Sequence, residues 1–373
     1  MSGLYIHIPF CESKCRYCAF YSEVVCGRDT GEVVSAILTE MGRYDISAVN
    51  TVYIGGGSPS SIAREELFSI VDFVSANCSE VEEFSVEVNP GQVDGEFLKG
   101  LFDRGVNRLS IGAQSFDDDE LEFLGRRHDS AAIEKAFELG RAAGFGNISI
   151  DLIFAIGGST IDTFGRSLDK AISLGSEHVS AYSLSIEPST AFGRAQAEGE
   201  LIKVDEEIDR AMYEMAIDRL GAAGIKQYEI SNFARAGFEC AHNLGCWAND
   251  PYIGVGPAAG SYFDGVRFSN VADIAAYVDG ICGGESVIAE SHRPDTKEVA
   301  CETAVVNLRR RNGIVLAEFK SRTGFDLFEI FGDVVERFVE NGMLVIDEAS
   351  ERVYLSRIAL PIADTVICEF ANF

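Results

Sequence analysis

One stretch near the amino end determines the architecture: Leu4-Tyr-Ile-His-Ile-Pro-Phe-Cys-Glu-Ser-Lys-Cys-Arg-Tyr-Cys-Ala-Phe20. It begins as a short apolar strand, residues 4–8, and turns directly into a loop with three of the chain's 10 cysteines. The other seven are scattered along the sequence. Buried structural cysteine does not normally reach this local density, so Cys11, Cys15 and Cys18 are predicted to be ligands of a metal centre after the first strand.

The chemistry of three thiolates leaves the kind of metal centre open. Soft thiolate ligands select zinc, copper(I) or an iron-sulfur cluster. A structural zinc ion needs a fourth ligand, and His7 serves only if it leaves the alternation of the first strand. A four-iron cluster held by three cysteines keeps one iron open for a substrate or cofactor. The spacing alone does not decide between zinc and the cluster.

Outward from this loop, up to about residue 228, short apolar runs alternate with amphipathic stretches of helical period. This pattern predicts βα units and a parallel sheet. The predicted strands cover residues 4–8, 51–54, 83–88, 108–111, 148–154 and 178–183. Helical stretches lie between them, for example at residues 31–43, 64–76, 131–143 and 163–174.

The rest of the chain is predicted to form two further units. Residues 229–292 have little periodicity and are predicted to be a loop-rich connecting segment, and residues 293–373 a small accessory domain. That domain has helices at 296–309, 316–323 and 328–341, then short strands at 343–347 and 352–356, a winged-helix-like α+β pattern. Its basic run, Arg309 to Arg311, is either part of a DNA-reading surface or a packing feature, and the acidic chain favours packing.

Composition limits the partners. The 373 residues are 47% hydrophobic, which predicts a chain folded throughout. A net charge of −28 disfavours nucleic acid and anionic membrane surfaces as partners. No run of about 18 apolar residues occurs, and the first lysine is Lys14, so neither membrane insertion nor a signal peptide is expected. The protein is predicted to be cytoplasmic, with reduced cysteines.

The wider sequence resembles a known family. The Cys-x3-Cys-x2-Cys spacing, with Tyr17 before the third cysteine, is similar to the signature of radical S-adenosylmethionine (SAM) proteins. From residue 4 to beyond 340, the chain resembles the oxygen-independent coproporphyrinogen III oxidase family through Tyr53-Ile-Gly-Gly-Gly-Ser-Pro59, Val86-Glu-Val-Asn-Pro-Gly91, Asn107-Arg-Leu-Ser-Ile-Gly-Ala-Gln-Ser-Phe116, Leu124-Gly-Arg-Arg-His128 and Gln227-Tyr-Glu-Ile-Ser-Asn-Phe233. The resemblance implies a partial (β/α)6 TIM-like barrel over residues 1–228, with a family-type domain at the carboxyl end.

The same resemblance implies the cofactors. A 4Fe-4S cluster on the three loop cysteines would carry SAM on its open iron, near Tyr5, Tyr17, Gly56, Gly57, Ser58 and Glu87. A second SAM would lie near Gly57, Ser58, Gln114, Arg126, Asp151 and Ser185. Plainer roles stay open: a strand-to-helix turn for the glycines, core packing for the tyrosines, a solvated strand end for Glu87 and a surface ion pair for Arg126. The turn Ala155-Ile-Gly-Gly-Ser-Thr160 lacks the family's proline, which puts the second site in question.

Within this family, the sequence favours a heme chaperone over an oxidase. The oxidase pattern has a further cysteine where this chain has Phe20, and an extension before the first strand. The chaperone branch has a His-Asn-x-x-Tyr-Trp motif, and its counterpart here is Cys240-Ala-His-Asn-Leu-Gly-Cys-Trp247. The resemblance therefore implies that His242 binds heme for an unidentified acceptor protein, with Cys240, Cys246 and Trp247 beside it. A loop histidine bonded to backbone, an oxidase and a zinc-stabilised scaffold remain the alternatives.

Overall fold

The computed structural model describes residues 3–372. Its strands are β1 (Gly3–Ile8), β2 (Phe10–Cys11), β3 (Glu23–Val24), β4 (Thr51–Gly56), β5 (Glu83–Val88), β6 (Arg108–Gln114), β7 (Ile148–Phe154), β8 (His178–Ser183), β9 (Lys226–Gln227), β10 (Asn232–Ala234), β11 (Tyr252–Val255), β12 (Gly260–Phe263), β13 (Val266–Asn270), β14 (Ile288–His292), β15 (Ile314–Val315), β16 (Leu344–Asp347) and β17 (Arg352–Leu355).

The helices connect these strands in the alternation that the sequence predicted. They are α1 (Thr30–Met41), α2 (Arg64–Asn77), α3 (Gly95–Asp103), α4 (Asp118–Leu124), α5 (Ser130–Ala143), α6 (Ile161–Leu174), α7 (Ala191–Ala197), α8 (Glu206–Ala222), α9 (Ala241–Trp247), α10 (Ile274–Cys282), α11 (Thr296–Leu308), α12 (Leu316–Thr323), α13 (Leu327–Glu340) and α14 (Ala363–Ile367). Among the described residues, no helix has the length and apolar character needed to cross a membrane.

Six parallel strands form the centre of the molecule, in the order β1-β4-β5-β6-β7-β8. The two edges of this sheet do not pair with each other, so the barrel is partial. Alternate side chains, such as Val52 and Ile54 on β4, are fully buried against the surrounding helices. The predicted partial (β/α)6 fold is confirmed.

The interior of the barrel is unusually polar. Between the buried apolar residues, the strands direct side chains such as Tyr53, Glu83, Arg108, Asp151 and His178 inward. These polar groups hydrogen-bond to neighbouring polar side chains, for example Arg108 to Ser85 and His178 to Ser149, as buried polar groups must. The interior therefore offers positions for charged and hydrogen-bonding ligands as well as a packed core.

The prediction that residues 229–292 are loop-rich is wrong. In this segment β11 pairs in parallel with β1, and β12, β13 and β14 continue that edge in antiparallel order. At the other edge β10 pairs with β8 and β9 with β10, which brings the sheet to twelve strands. The strands were missed because they are only four or five residues long, and every residue of β14 is exposed, which leaves no alternating pattern.

The carboxyl-terminal unit agrees with the winged-helix-like pattern. Helices α11, α12 and α13 precede a hairpin of β16 and β17, and β15 adds a third strand in the order β15-β17-β16. Arg309 pairs with Asp364 and covers the ring of Trp247, so this member of the basic run packs within the molecule. The exact domain boundaries stay a prediction.

Candidate functional site

The cysteine loop emerges from the carboxyl end of β1. Its base is closed by β2 and β3: the Glu23 amide donates to Pro9 O (2.8 Å) and the Val25 amide to Cys11 O (2.9 Å). All three cysteines are half-buried and free of disulfides. Burial raises the pKa of the Cys11 and Cys18 thiols. Arg126 approaches from outside the loop, with Nη1 3.5 Å from Cys15 Sγ.

The arrangement of the three thiols bears on the kind of metal centre. Within residues 3–372, no three His, Cys, Asp or Glu side chains converge on a point where they would hold one metal ion. A structural zinc ion bound by these three thiolates would need a fourth ligand to complete its tetrahedron. In a four-iron cluster each cysteine binds a different iron, so the donor set of this loop fits a cluster.

At the three glycines at the end of β4, close neighbours within the protein leave no room for a side chain. A Cβ at Gly55 would lie 2.9 Å from the Glu87 carboxylate, at Gly56 2.5 Å from the His7 ring, and at Gly57 2.4 Å from Phe10 O. The amides of Gly57 and Ser58 donate to Ile8 O and Phe10 O, which fixes the base of the cysteine loop. These two amides are therefore engaged within the protein.

A hydrogen-bonded chain connects β4 to the cysteines. The Ser58 hydroxyl donates to Gln92 Oε1 (2.8 Å) and accepts from Asn89 Nδ2 (2.8 Å), while Asn89 Oδ1 accepts from Arg126 Nη2. Arg126 also donates to Gly112 O (2.7 Å) and leaves its buried Nε without a partner. The surface ion pair considered for Arg126 is thus excluded, because its guanidinium is buried beside Cys15.

Asn89 is a further site residue, which lies within one of the family motifs but was not among the predicted ligand-binding residues. It follows β5 directly in an Asn-Pro step and joins Ser58 to Arg126. Its position directly after a strand, at the same barrel end as the cysteines, was the available signal.

Glu87 and the interior aromatic residues form a second group. Glu87 Oε1 accepts from the Tyr53 hydroxyl (2.8 Å), and burial raises the pKa of Glu87 to about 7. The Tyr5 ring stacks on Tyr53 with centroids 6.4 Å apart, and its hydroxyl lies 3.0 Å from His7 Nδ1. Tyr17 instead packs in an apolar cluster with Leu124, Ile153, Ile156 and Phe192.

Asp151 is enclosed by hydroxyl groups. Ser110, Ser149 and Ser180 each donate to its carboxylate at 2.8–3.1 Å, one from each of β6, β7 and β8. These hydrogen bonds lower the pKa of Asp151, but burial has the larger effect and raises it. Gln114, which ends β6, has a left-handed backbone with φ 71°, an uncommon conformation that turns its side chain out of the strand pattern.

Ser185 lies apart from these groups as an exposed residue. Its hydroxyl donates to Glu187 Oε1 (2.6 Å). The divergent turn after β7 also has strained backbone, since its first residue, Ala155, adopts φ 56°, an uncommon conformation for alanine.

His242 lies at the opposite end of the barrel from the cysteines. Its Nδ1 is 3.1 Å from Thr51 Oγ1, its ring packs on Tyr53 with centroids 5.4 Å apart, and a Cβ at Gly3 would lie 3.1 Å from its Cε1. Gly3 and Thr51 are the first residues of β1 and β4. The structure therefore divides the predicted site residues between the two ends of the barrel.

A cleft of about 780 Å³ opens beside His242. It lies between the barrel, α9 and the segment after α11, and Cys246 also lines it. Burial lowers the pKa of His242 to about 4, so the imidazole is neutral at physiological pH, the form that binds iron. Burial raises the pKa of Cys246 to about 11, which keeps its thiol protonated.

The other two candidates in this motif have structural roles. Cys240 Sγ is buried and donates to Glu83 Oε1 (3.3 Å). Trp247 lies under the Arg309 guanidinium, 4.7 Å from the ring centroid, and its carbonyl accepts from Asn307 Nδ2. Neither residue lines the cleft. Of the motif's candidates, His242 and Cys246 alone face it.

Comparison with known proteins agrees with this geometry. Residues 5–171 match the model of the radical SAM superfamily, and residues 295–356 match that of the HemN C-terminal domain. The solved structure of coproporphyrinogen III oxidase (HemN) from Escherichia coli superposes with a TM-score of 0.85 and 18% identity, over 99% of this chain and 90% of that one. The fold and the cysteine loop thus define a radical SAM protein.

Among curated proteins, two similar relatives are both named heme chaperone HemW. The Bacillus subtilis protein is 38% identical over 95% of each chain, and the Lactococcus lactis protein is 31% identical over 99% of this chain and 97% of its own. This chain belongs to the HemW family. The predicted family is confirmed, and with it the family's 4Fe-4S cluster and SAM as the implied cofactors.

Proposed function

We propose that this protein is a heme chaperone that takes heme into the cleft beside His242 and passes it to an acceptor protein. The observation that carries the proposal is the cleft itself: a neutral, buried imidazole lines a space in the size range of ligand sites, about 300–1,000 Å³. Relatives named heme chaperone at 31–38% identity support the same function.

We further propose that Cys11, Cys15 and Cys18 hold the 4Fe-4S cluster and that the adjoining end of the barrel takes SAM. When bound, the cluster supplies an open iron for SAM and one-electron chemistry. The Arg126 guanidinium would bind an anionic group of the ligand near Cys15. Gly56, Glu87, Gln114 and Asp151 lie on the consecutive strands β4 to β7, where they would position polar groups of the ligand.

The test of the heme site compares the wild type with His242→Ala and His292→Ala during heme titration. His292 is exposed and pairs with Glu298, which makes it a matched control. Trp247 is the only tryptophan and neighbours two residues that line the cleft, so quenching of its fluorescence reports binding independently of the Soret band. We expect His242→Ala alone to change the spectrum of the bound heme. Identical spectra in all three proteins would exclude His242 as the ligand.

The oxidase is the second candidate, since its solved structure shares this fold. A coproporphyrinogen III assay under reducing, anaerobic conditions with SAM separates the two functions. We expect little or no conversion together with heme binding near one equivalent. Substantial turnover would overturn the chaperone proposal.

The cluster is tested by spectroscopy after anaerobic reconstitution with iron and sulfide. We expect visible absorption and an electron paramagnetic resonance signal of the reduced protein that changes when SAM is added, because SAM alters the coordination of the open iron. A colourless protein would support the zinc-stabilised scaffold instead.

A further inference from the structure

The cleft beside His242 is lined by more basic than acidic side chains. Lys226, Arg310 and Arg311 line it, against two acidic residues, Glu239 and Asp250. In the whole chain acidic residues outnumber basic ones, 59 to 31. The cleft therefore reverses the charge balance of the molecule.

The two acidic residues are engaged elsewhere. Asp250 forms an ion pair with Arg322, with Oδ1 and Nη2 2.5 Å apart. Glu239 Oε2 accepts from the Gly237 amide (2.9 Å). Neither carboxylate lies within 4.0 Å of a cationic nitrogen of the three basic residues.

Arg310 and Arg311 form no ion pair with any residue that the structure describes. Arg310 donates to Asn307 Oδ1 and Gly313 O, and its buried Nε has no partner, while Arg311 Nη1 donates to Leu355 O (3.1 Å). Both side chains are half-buried. Removing a guanidinium from water without an anionic partner is costly, so an anion bound here would offset a cost that the free protein carries.

The backbone holds these arginines in place. The Arg311 amide donates to Tyr228 O (2.9 Å), and the Ile230 amide donates to Arg309 O (3.1 Å). The segment after α11 is thus fixed to the loop that follows β9. A fixed pair of guanidinium groups loses little freedom when it binds carboxylates.

The remaining lining suits a flat apolar body. Leu244, Ala248 and Pro251 supply apolar surface to the same lining as His242 and the basic residues. Heme has an iron centre, an apolar macrocycle and two carboxylates on one edge, which correspond to the three parts of this cleft.

On this basis, and resting on the proposed function, we infer that Arg310 and Arg311, assisted by Lys226, bind the two propionate carboxylates of heme and fix its orientation relative to His242. The three residues of the basic run thus have two different roles. Arg309 packs on Trp247, as the acidic composition of the chain favoured, whereas Arg310 and Arg311 bind the heme propionates.

The experiment titrates the full-length protein with heme and with heme dimethyl ester, which keeps the iron and macrocycle but lacks both negative charges. The variants are Arg311→Gln, Arg310→Gln and Lys226→Gln, with Lys135→Gln as a control on the exposed face of α5. We expect the dissociation constant for heme to rise roughly tenfold or more for each arginine variant, and a few-fold for the exposed Lys226. The control should not change.

The ester arm separates recognition of carboxylates from loss of folding. Wild type should bind the ester more weakly than heme, and the arginine variants should bind the ester as well as wild type does, because the lost contact is absent from that ligand. Equal affinities of wild type for heme and ester would overturn this inference and leave the heme site standing. Failure of wild type to bind either ligand would overturn the proposed function and the inference together. An arginine variant that loses the ester as well as heme would indicate a structural role and count against the inference.

Discussion

Glu87 is the residue whose ionisation should be most visible in the stability of the protein. Burial raises its pKa to about 7 from a usual value of 4.5. Between these values the native state keeps a proton that the unfolded state releases, so this group lowers the free energy of unfolding as pH rises from about 4.5 to 7. As pH rises, the free energy of unfolding of Glu87→Gln should increase relative to that of wild type. The increase is up to about 3 kcal/mol, an upper value that solvent screening reduces.

Urea unfolding at pH 5 and pH 8 measures this difference. Glu138→Gln, on the exposed face of α5, is the control and should show no such dependence. A stability difference for Glu87→Gln that is the same at both pH values would contradict the assignment of the raised pKa.

Cys18 and Cys26 provide a matched pair for the cluster loop. Cys18 lies in the loop beside Cys15, whereas Cys26 is exposed and lies beyond β3. Cys18→Ala should lose most of its iron and sulfide after reconstitution, since one iron would lack its ligand. Cys26→Ala should retain wild-type content. Normal iron and sulfide in Cys18→Ala would remove that cysteine from the ligand set.

Gly57 tests whether the glycine run serves internal packing. An alanine Cβ there would lie 2.4 Å from Phe10 O, a backbone atom that also accepts from the Ser58 amide. We expect Gly57→Ala to lower the free energy of unfolding by about 1–3 kcal/mol, on the scale of overpacking. Gly146→Ala, where nothing lies within 4 Å, is the control. Equal urea midpoints for both variants would show that the backbone at the end of β4 shifts to accommodate the methyl group without loss of stability.

At the scale of elements, α9 depends on a carboxylate from the barrel. Glu83 on β5 accepts from the amides of Ala241 (2.8 Å) and His242 (3.1 Å) at the start of this helix. Negative charge at a helix amino end is stabilising, by up to about 2 kcal/mol when partly buried. Glu83→Gln should therefore weaken the heme complex several-fold without abolishing folding, while the exposed Glu82→Gln should not. An unchanged heme affinity in Glu83→Gln would show that heme binding at His242 does not depend on this helix cap.

The elements differ in how far the sequence predicted them. The strands at residues 83–88, 148–154 and 178–183 agree with the structure to the residue, because each is a continuous β-rich run beside a capped helix. Strands β11 to β14 carry too few residues for a period to appear. Asn89 and Glu83 were missed for a different reason: their roles depend on partners far along the chain, Arg126 and α9, which no local pattern encodes.

At the scale of the whole molecule, Arg322 joins the carboxyl-terminal unit to the cleft. It donates to Asn249 O and to Asp250 Oδ1, both at 2.5 Å, just beyond α9. We expect Arg322→Met to lower the free energy of unfolding by about 1.5–3 kcal/mol, the scale of charged hydrogen bonds. Lys320→Met, which removes an exposed ion pair with Asp326, should change it little. Thermal melts of both variants test this, and equal shifts would contradict it.

The whole molecule also explains why the cleft could not be predicted. Its lining comes from the start of β1, the start of β4, the region around α9 and the segment after α11. These parts are up to about three hundred residues apart, and α9 reaches them because Glu83 of β5 caps it and β11, which follows it, pairs with β1. The cysteine loop, by contrast, is contained in one short stretch that the sequence displays directly.

The position of Gly3 has a practical consequence for handling the protein. Gly3 lines the cleft proposed for heme and packs against the His242 ring, so a peptide joined directly before Gly3 would start at the rim of that cleft. A polyhistidine tag placed there would bring competing imidazoles to the rim and would itself bind heme iron. Near the other terminus, Phe370 packs on Phe331 of α13, and neither residue borders the cleft. Purification handles for heme-binding studies therefore belong at the carboxyl end.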